Sequence, residues 1–291
     1  MCVQLAIMGI KIVSISFITL LFFSLLINAQ GLHGTLVVAV PVEDGLVACA
    51  DKRLYNDTTG KSDDTFVKIH KVNANTLFVA TNTIAFLDKS TRKIEFDVYD
   101  ITAKYAAQHP FNNVSFWNGL KEEIRKQLLD YLDKRKFADW PETDRANNNL
   151  LFNLVFYSTA GSRIRSYSMS VFYEKAQVPV ITIPGVVMEE VRTPKLSGKG
   201  KDVMAYLSQK PSLAQNPAIM RFDETRFNMA STSVEDALNF ARTLFVITNS
   251  ALPQAEVSAT HDCALLAYRT GFRWINDAGA PIAKQIPSLQ R

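Results

Sequence analysis

Cysteine is scarce, with three in 291 residues, and Cys2 falls in a segment that reads as a leader. Cys49 and Cys263 are all that remains, which excludes a disulfide framework as the main source of stability. Both sit in apolar, strand-like runs, a setting that favours two buried thiols over the single Cys49–Cys263 bridge that export would permit. His261 and Cys263 share one strand face, where a structural cysteine is the preferred reading over a thiol nucleophile. The four histidines, at 33, 70, 109 and 261, have no metal-ligand spacing. Gly198-Lys199-Gly200-Lys201 lacks the length of a phosphate-binding loop, so neither a metal nor a cofactor is implied. No basic run is interleaved with aromatics, and the net charge of +4 is spread along the chain, so nucleic acid is not expected as a partner.

Apolar side chains are plentiful. At 47% of the sequence they can fill one good-sized core but not several, so one domain behind a leader is expected. Ile12 to Ile27 is almost wholly apolar, follows Lys11, and ends at Ile27-Asn28-Ala29. Residues 1–29 therefore read as a signal peptide cut after Ala29 or as an uncleaved signal anchor, tethering the chain through residues 12–27. Either way the domain is expected outside the cytoplasm, periplasmic or extracellular, or held at a membrane. Residues 30–34 would be a short propeptide, 35–280 the domain and 281–291 a C-terminal tail.

Periodicity divides the domain. Thr35 to Val42 and Leu46 to Ala50 read as a hairpin around Asp44-Gly45, and Phe66 to Val72 with Thr76 to Ala80 as a second around Asn73-Ala74-Asn75. Helices are predicted over roughly 90–108 and from an N-cap at Ser115, the latter with a face of Phe116, Leu120, Ile124, Leu128 and Leu132. Leu150 to Ser158 and Ile164 to Tyr173 form another strand pair. Helices follow near 201–207 and from Ser233, whose spacing to Asp236 is that of a capping box. Cys263 to Tyr268 and Gly271 to Ile275 close the chain as strands. Strands, helices, strands, helices, strands is the order of an α+β sandwich with sheets in the middle.

Several separated motifs then carry a resemblance. Gly34-Thr35-Leu-Val-Val-Ala is followed by Gly45-Leu-Val-Ala-Cys-Ala-Asp51-Lys-Arg, with Asp51 sixteen residues past Thr35. Val67-Lys68-Ile69, Ser197-Gly198-Lys199-Gly200 and the helix over 234–247 complete the set. In this order the chain resembles proteasome β-subunits and the related peptidase of the bacterial two-component protease, N-terminal-nucleophile (Ntn) hydrolases. The resemblance implies a four-layer αββα sandwich of two mostly antiparallel sheets flanked by helices, and a homo-oligomeric ring. It implies a Gly34–Thr35 bond that the chain cuts itself, and Phe66 and His70 at positions that line the substrate pocket.

The residue types suit the chemistry independently. A hydroxyl is a weak nucleophile near neutral pH and needs an adjacent base. Thr35 as an N-terminus would carry that base itself, since an unperturbed α-amine titrates near about 7.7–8.0. A Lys68 ammonium would hold the amine neutral, and Asp51 would fix the lysine by a charge-assisted hydrogen bond. The stretch after the third strand, Ala80-Thr81-Asn82-Thr83-Ile84, has no glycine for an oxyanion turn, leaving the backbone N–H of Asn82 or Thr83. Lys199 stands inside the Gly-x-Gly turn, and Thr248-Asn249-Ser250 offers no match for the residues expected to support the threonine from the loop after the last helix. The expectation is a threonine-type peptidase or amidase acting through an acyl-enzyme ester on a peptide or small amide. Two alternatives stay open: a scaffold or binding subunit never cut at Gly34–Thr35, and a non-peptidase acylase with the same nucleophile.

Overall fold

The computed structural model describes residues 31–33, 35–56, 60–88, 91, 93–111, 114–143, 145–222, 226–252 and 257–283. The expected leader, its tether over 12–27, and positions 30 and 34 of the expected propeptide lie outside them. Among the described residues no helix is long and apolar enough to cross a membrane.

The chain opens with β1 (Gly31–His33), β2 (Leu36–Val42) and β3 (Gly45–Asp51). Short strands β4 (Leu54–Asn56) and β5 (Lys61–Asp63) precede the hairpin of β6 (Ile69–Asn73) and β7 (Thr76–Asn82). Then come β8 (Ala85–Leu87), β9 (Ile94–Asp97) and helices α1 (Val98–Gln108) and α2 (Val114–Asp133). β10 (Leu150–Ala160) and β11 (Arg163–Glu174) form a long hairpin, followed by β12 (Val180–Thr182), β13 (Val187–Glu190) and β14 (Lys195–Gly198). Helices α3 (Gly200–Ser208), α4 (Pro211–Ala214), α5 (Pro217–Met220) and α6 (Val234–Ala251) lead to β15 (His261–Ala267), β16 (Gly271–Ile275) and β17 (Pro281–Ile282).

Two six-stranded antiparallel sheets stack face to face. One has the order β14-β2-β3-β15-β16-β17; the other runs β12-β11-β10-β7-β6, with β13 also on β11. β2 shows why the sandwich has four layers. It is apolar at every position and buried throughout, so it feeds cores on both of its faces. Val37 and Ala39 meet Ile69, Val79, Val155 and Tyr157 of the other sheet. Leu36, Val38, Val40 and Val42 instead face Val203 and Leu207 of α3 and Leu238, Leu244 and Phe245 of α6. The second sheet turns Phe78, Phe152, Leu154 and Phe156 towards Tyr99 of α1 and Phe116, Leu120 and Ile124 of α2. The expected αββα Ntn-hydrolase sandwich is thus the fold.

Several local expectations need correction. A third sheet, in the order β5-β4-β1-β8-β9, was not foreseen, because four of its strands have only three residues and carry no readable alternation. Its central strand is β1, in the segment expected to be a propeptide. The helix predicted over 90–108 begins only at Val98, where Asp97 caps the amides of Tyr99 and Asp100; residues 94–97 are strand β9. Ser115 lies inside α2, which starts at Val114. The expected tail contributes β17, which pairs with β16. Ser233 and Asp236 do form the capping box of α6.

The two-thiol expectation is also overturned: Cys49 and Cys263 are disulfide-bonded. They stand directly opposite each other across β3 and β15, with Cα atoms 4.2 Å apart. The pairing register points both side chains into the same layer beside α6, which is what brings two β-sheet cysteines within bonding reach.

Candidate active site

Thr35 immediately precedes β2 and is 1% exposed. The amide of Leu36 donates to Asp51 Oδ1 at 2.7 Å, tying the start of β2 to the end of β3. Lys68 stands one residue before β6, and its Nζ lies 3.1 and 3.0 Å from Asp51 Oδ1 and Oδ2. Both side chains of this pair are fully enclosed. The carboxylate also accepts the amides of Arg53 at 3.0 Å and Ser258 at 3.4 Å on Oδ2. Two charges survive out of water only when each finds partners of this kind. Burial pushes the Lys68 ammonium below the ordinary lysine range, with Asp51 pulling the other way. The structure therefore gathers Thr35, Asp51 and Lys68 at one end of the sandwich, on three adjoining chain segments.

The Gly198 turn closes the site from the other side. Lys199 N–H donates to the Thr35 carbonyl at 2.9 Å. Gly198 has φ +68°, and a Cβ there would lie 2.1 Å from that carbonyl oxygen and 3.3 Å from Thr81 Cβ. Only a residue without a side chain fits between Thr35 and the end of β7.

The end of β7 explains how a glycine-free stretch makes its turn. Asn82 has φ 70°, the left-handed conformation that asparagine tolerates better than most residues. Of the two amides expected to serve an oxyanion, that of Thr83 is engaged by the Leu151 carbonyl at 3.0 Å, so the expectation narrows to Asn82. Along β7 the amide of Ala80 points away from β10 and donates to Tyr99 Oη at 3.0 Å. Alternation sends the amide of Asn82, two residues on, to that same side. Tyr99 Oη also donates to the Ala80 carbonyl at 3.0 Å, capping β7 beyond Val79, where pairing with β6 stops.

Phe66 and His70 both pack on Tyr99. Phe66 meets it edge-on, with ring centroids 5.5 Å apart. His70 stacks on it at 4.6 Å and on Phe78 at 5.2 Å, and its Nε2 lies 3.1 Å from the Val67 carbonyl. Burial holds the imidazole neutral, lowering its pKa from 6.5 to about 4.

Three residues near the trio, Asp64, Tyr99 and Ser258, fall outside the sequence motifs, and Arg53 stands in one without an assigned role. Thr248-Asn249-Ser250 lie within α6, where Asn249 Oδ1 accepts from Arg53 Nη1 at 3.5 Å. The chain returns to Asp51 only at Ser258, 207 residues away, a proximity no local pattern reveals. Asp64 and Arg53 carried a signal in hindsight, an acid and a base flanking the Asp51 and Lys68 motifs.

Two cavities lie elsewhere. One of about 590 Å³ is bounded by β9, α1 and α2, and an apolar groove of about 730 Å³ lies among β14, α3 and α6. Among the described residues no three His, Cys, Asp or Glu side chains cluster as metal ligands.

No family model and no curated protein matches this chain. Among solved structures it is similar to Anbu from Hyphomicrobium sp. strain MC1, at 14% identity over 82% of this chain and 86% of that one, with a TM-score of 0.43. A Gly-1 mutant of the same protein matches at 15% identity over 87% of each chain, with a TM-score of 0.45. The expectation that the chain is a divergent member of the proteasome β-subunit-like Ntn hydrolases is corrected: no family model recognises it, and the solved structures named above are of Anbu. The motifs that suggested it are a few residues each, and they mark one end of the sandwich rather than a family that shares it. What stands is the fold, a four-layer sandwich of two antiparallel sheets flanked by helices.

Proposed function

We propose that this chain is a threonine-type N-terminal-nucleophile hydrolase, a peptidase or amidase in which Thr35 becomes the nucleophile when the Gly34–Thr35 bond is cut. The observation that carries the reading is the enclosed Asp51–Lys68 pair, whose carboxylate is also bonded to the residue next to Thr35. A sandwich that needed only stability would do as well or better with apolar side chains in that place.

In this mechanism the freed α-amine accepts the proton of the Thr35 hydroxyl as the oxygen attacks an amide carbonyl. Lys68, kept in place by Asp51, disfavours a second cation and holds the amine neutral. Asn82 N–H stabilises the tetrahedral oxyanion. The proton passes to the leaving amine, an ester remains on Thr35, and water cleaves it by the reverse sequence. No metal or cofactor takes part. The leader and the Cys49–Cys263 bond together support an exported protein, because disulfides persist in oxidising compartments. Acting there, on peptides or small amides, it would work as a homo-oligomer or at a membrane.

One observation favours the alternative of a subunit never cut. Thr35 is enclosed, and β1 just ahead of it is paired on both edges. Intact mass and N-terminal sequencing of the protein from its native compartment, for wild type and Thr35→Ala, decide between them. A wild type beginning at Thr35 beside a mutant that retains Gly34 is the expected result. If both begin upstream of Thr35, the base does not exist and the enzyme reading fails.

A further inference from the structure

We propose that Arg53, Asp64 and Ser258 form a positioning circuit for the Asp51–Lys68 pair, in which the Arg53–Asp64 ion pair fixes Ser258 and thereby the Asp51 carboxylate. The inference rests on the hydrolase reading above and names three residues which that mechanism does not use.

The circuit is closed. The Arg53 guanidinium forks onto Asp64, with Nε 2.8 Å from Oδ1 and Nη2 2.9 Å from Oδ2. Ser258 is buried and its hydroxyl donates to the same Asp64 Oδ2 at 2.9 Å. That hydroxyl also lies 2.7 Å from Thr260 Oγ1 and accepts the Thr260 amide at 3.1 Å. The amides of Arg53 and Ser258 both converge on Asp51 Oδ2. Segments at 51–53 and 64 and a third at 258–260, 194 residues beyond Asp64, thus meet around one carboxylate.

Stability alone does not account for the arrangement. The Asp64 side chain is 38% exposed and that of Arg53 25%, so solvent screens the pair, and its two-point geometry fixes position more than it adds to folding. Their inward arms matter more. With Lys68 and Leu36 the circuit supplies donors to both oxygens of Asp51. A carboxylate so held cannot rotate, and Lys68 Nζ keeps its place against it. The ion pair also balances charge around the lysine, since Asp64 favours the Lys68 ammonium and Arg53 disfavours it.

The test compares Asp64→Asn, Ser258→Ala, Arg53→Leu/Asp64→Asn and wild type, each as the full chain. The first readout is the pH profile of kcat/KM on a fluorogenic peptide amide that the wild type cleaves. Asp64→Asn removes an anion that favours the Lys68 ammonium and keeps the Arg53 cation that disfavours it, so the alkaline limb is expected to move to lower pH by about 0.5–1 unit with KM little changed. The double variant removes both charges, so its limb should return while kcat stays low. Ser258→Ala should lower kcat without moving the limb, and Ser258→Thr should restore it. The second readout is the Lys68 Nζ resonance of 15N-lysine-labelled Thr35→Ala protein, whose titration midpoint is expected to fall in Asp64→Asn. Thr35→Ala cannot process, so a failure of the hydrolase reading leaves this readout intact. Unchanged limb and midpoint in Asp64→Asn, or a kcat in Ser258→Ala equal to wild type, would overturn the circuit.

Discussion

Acidification should destabilise this protein through His70 before most carboxylates titrate. The half-buried imidazole packs against both Tyr99 and Phe78, and burial lowers its pKa from 6.5 to about 4. In the unfolded chain the residue takes up its proton near 6.5, so between those values the unfolded state binds more protons and stability falls as pH falls. The contribution is fully present above about pH 6.5 and is lost progressively down to about pH 4. At about 1.36 kcal/mol per pH unit the window amounts to about 3 kcal/mol at most, a large fraction of a typical domain's stability. His70→Gln keeps a hydrogen-bonding side chain of similar reach and removes the titration. Urea unfolding midpoints from pH 7.5 to 4.5 for both proteins should give a steeper decline for wild type, with the curves converging as pH falls. Parallel curves across that window would refute the assignment of a neutral imidazole.

Two further substitutions probe the frame of the site. Gly198→Ala should cost about 1–2 kcal/mol from the left-handed backbone alone and more from the meeting of its Cβ with the Thr35 carbonyl; a thermal midpoint equal to wild type would contradict that contact. Cys49→Ala/Cys263→Ala, which opens a link between residues 214 apart, should lower stability by about 2–5 kcal/mol. Added reductant should weaken the wild type in urea and leave the double variant unmoved; a wild type indifferent to reductant would mean the bond is not formed in solution.

What could be read from the sequence follows a physical division. The long strands of the two main sheets announced themselves by their apolar, β-branched runs, the first two hairpins also by Asp-Gly and Asn-rich turns, whereas the short β12, β13, β14 and β17 of the same sheets did not. The stripe of α2 from Phe116 to Leu132 and the Ser233 box were equally plain. Strands of three or four residues gave no period to detect, which is why the third sheet went unread. In the site, Thr35, Asp51 and Lys68 could be proposed because each sits at a strand terminus with a recognisable flank. Ser258 could not, since its link to Asp51 exists only once β15 has paired with β3. Asn82 shows a third case: the missing glycine looked like a defect until the backbone showed asparagine in the conformation that glycine usually takes.

The place of β1 has a consequence for any cut at Gly34–Thr35. Gly31 to His33 is the middle strand of its sheet, paired with β4 along one edge and with β8 along the other. Scission severs one covalent bond and none of those pairings. The new amine would therefore be born beneath a severed strand still in its slot, and the time at which the protein is cut would differ from the time at which it opens.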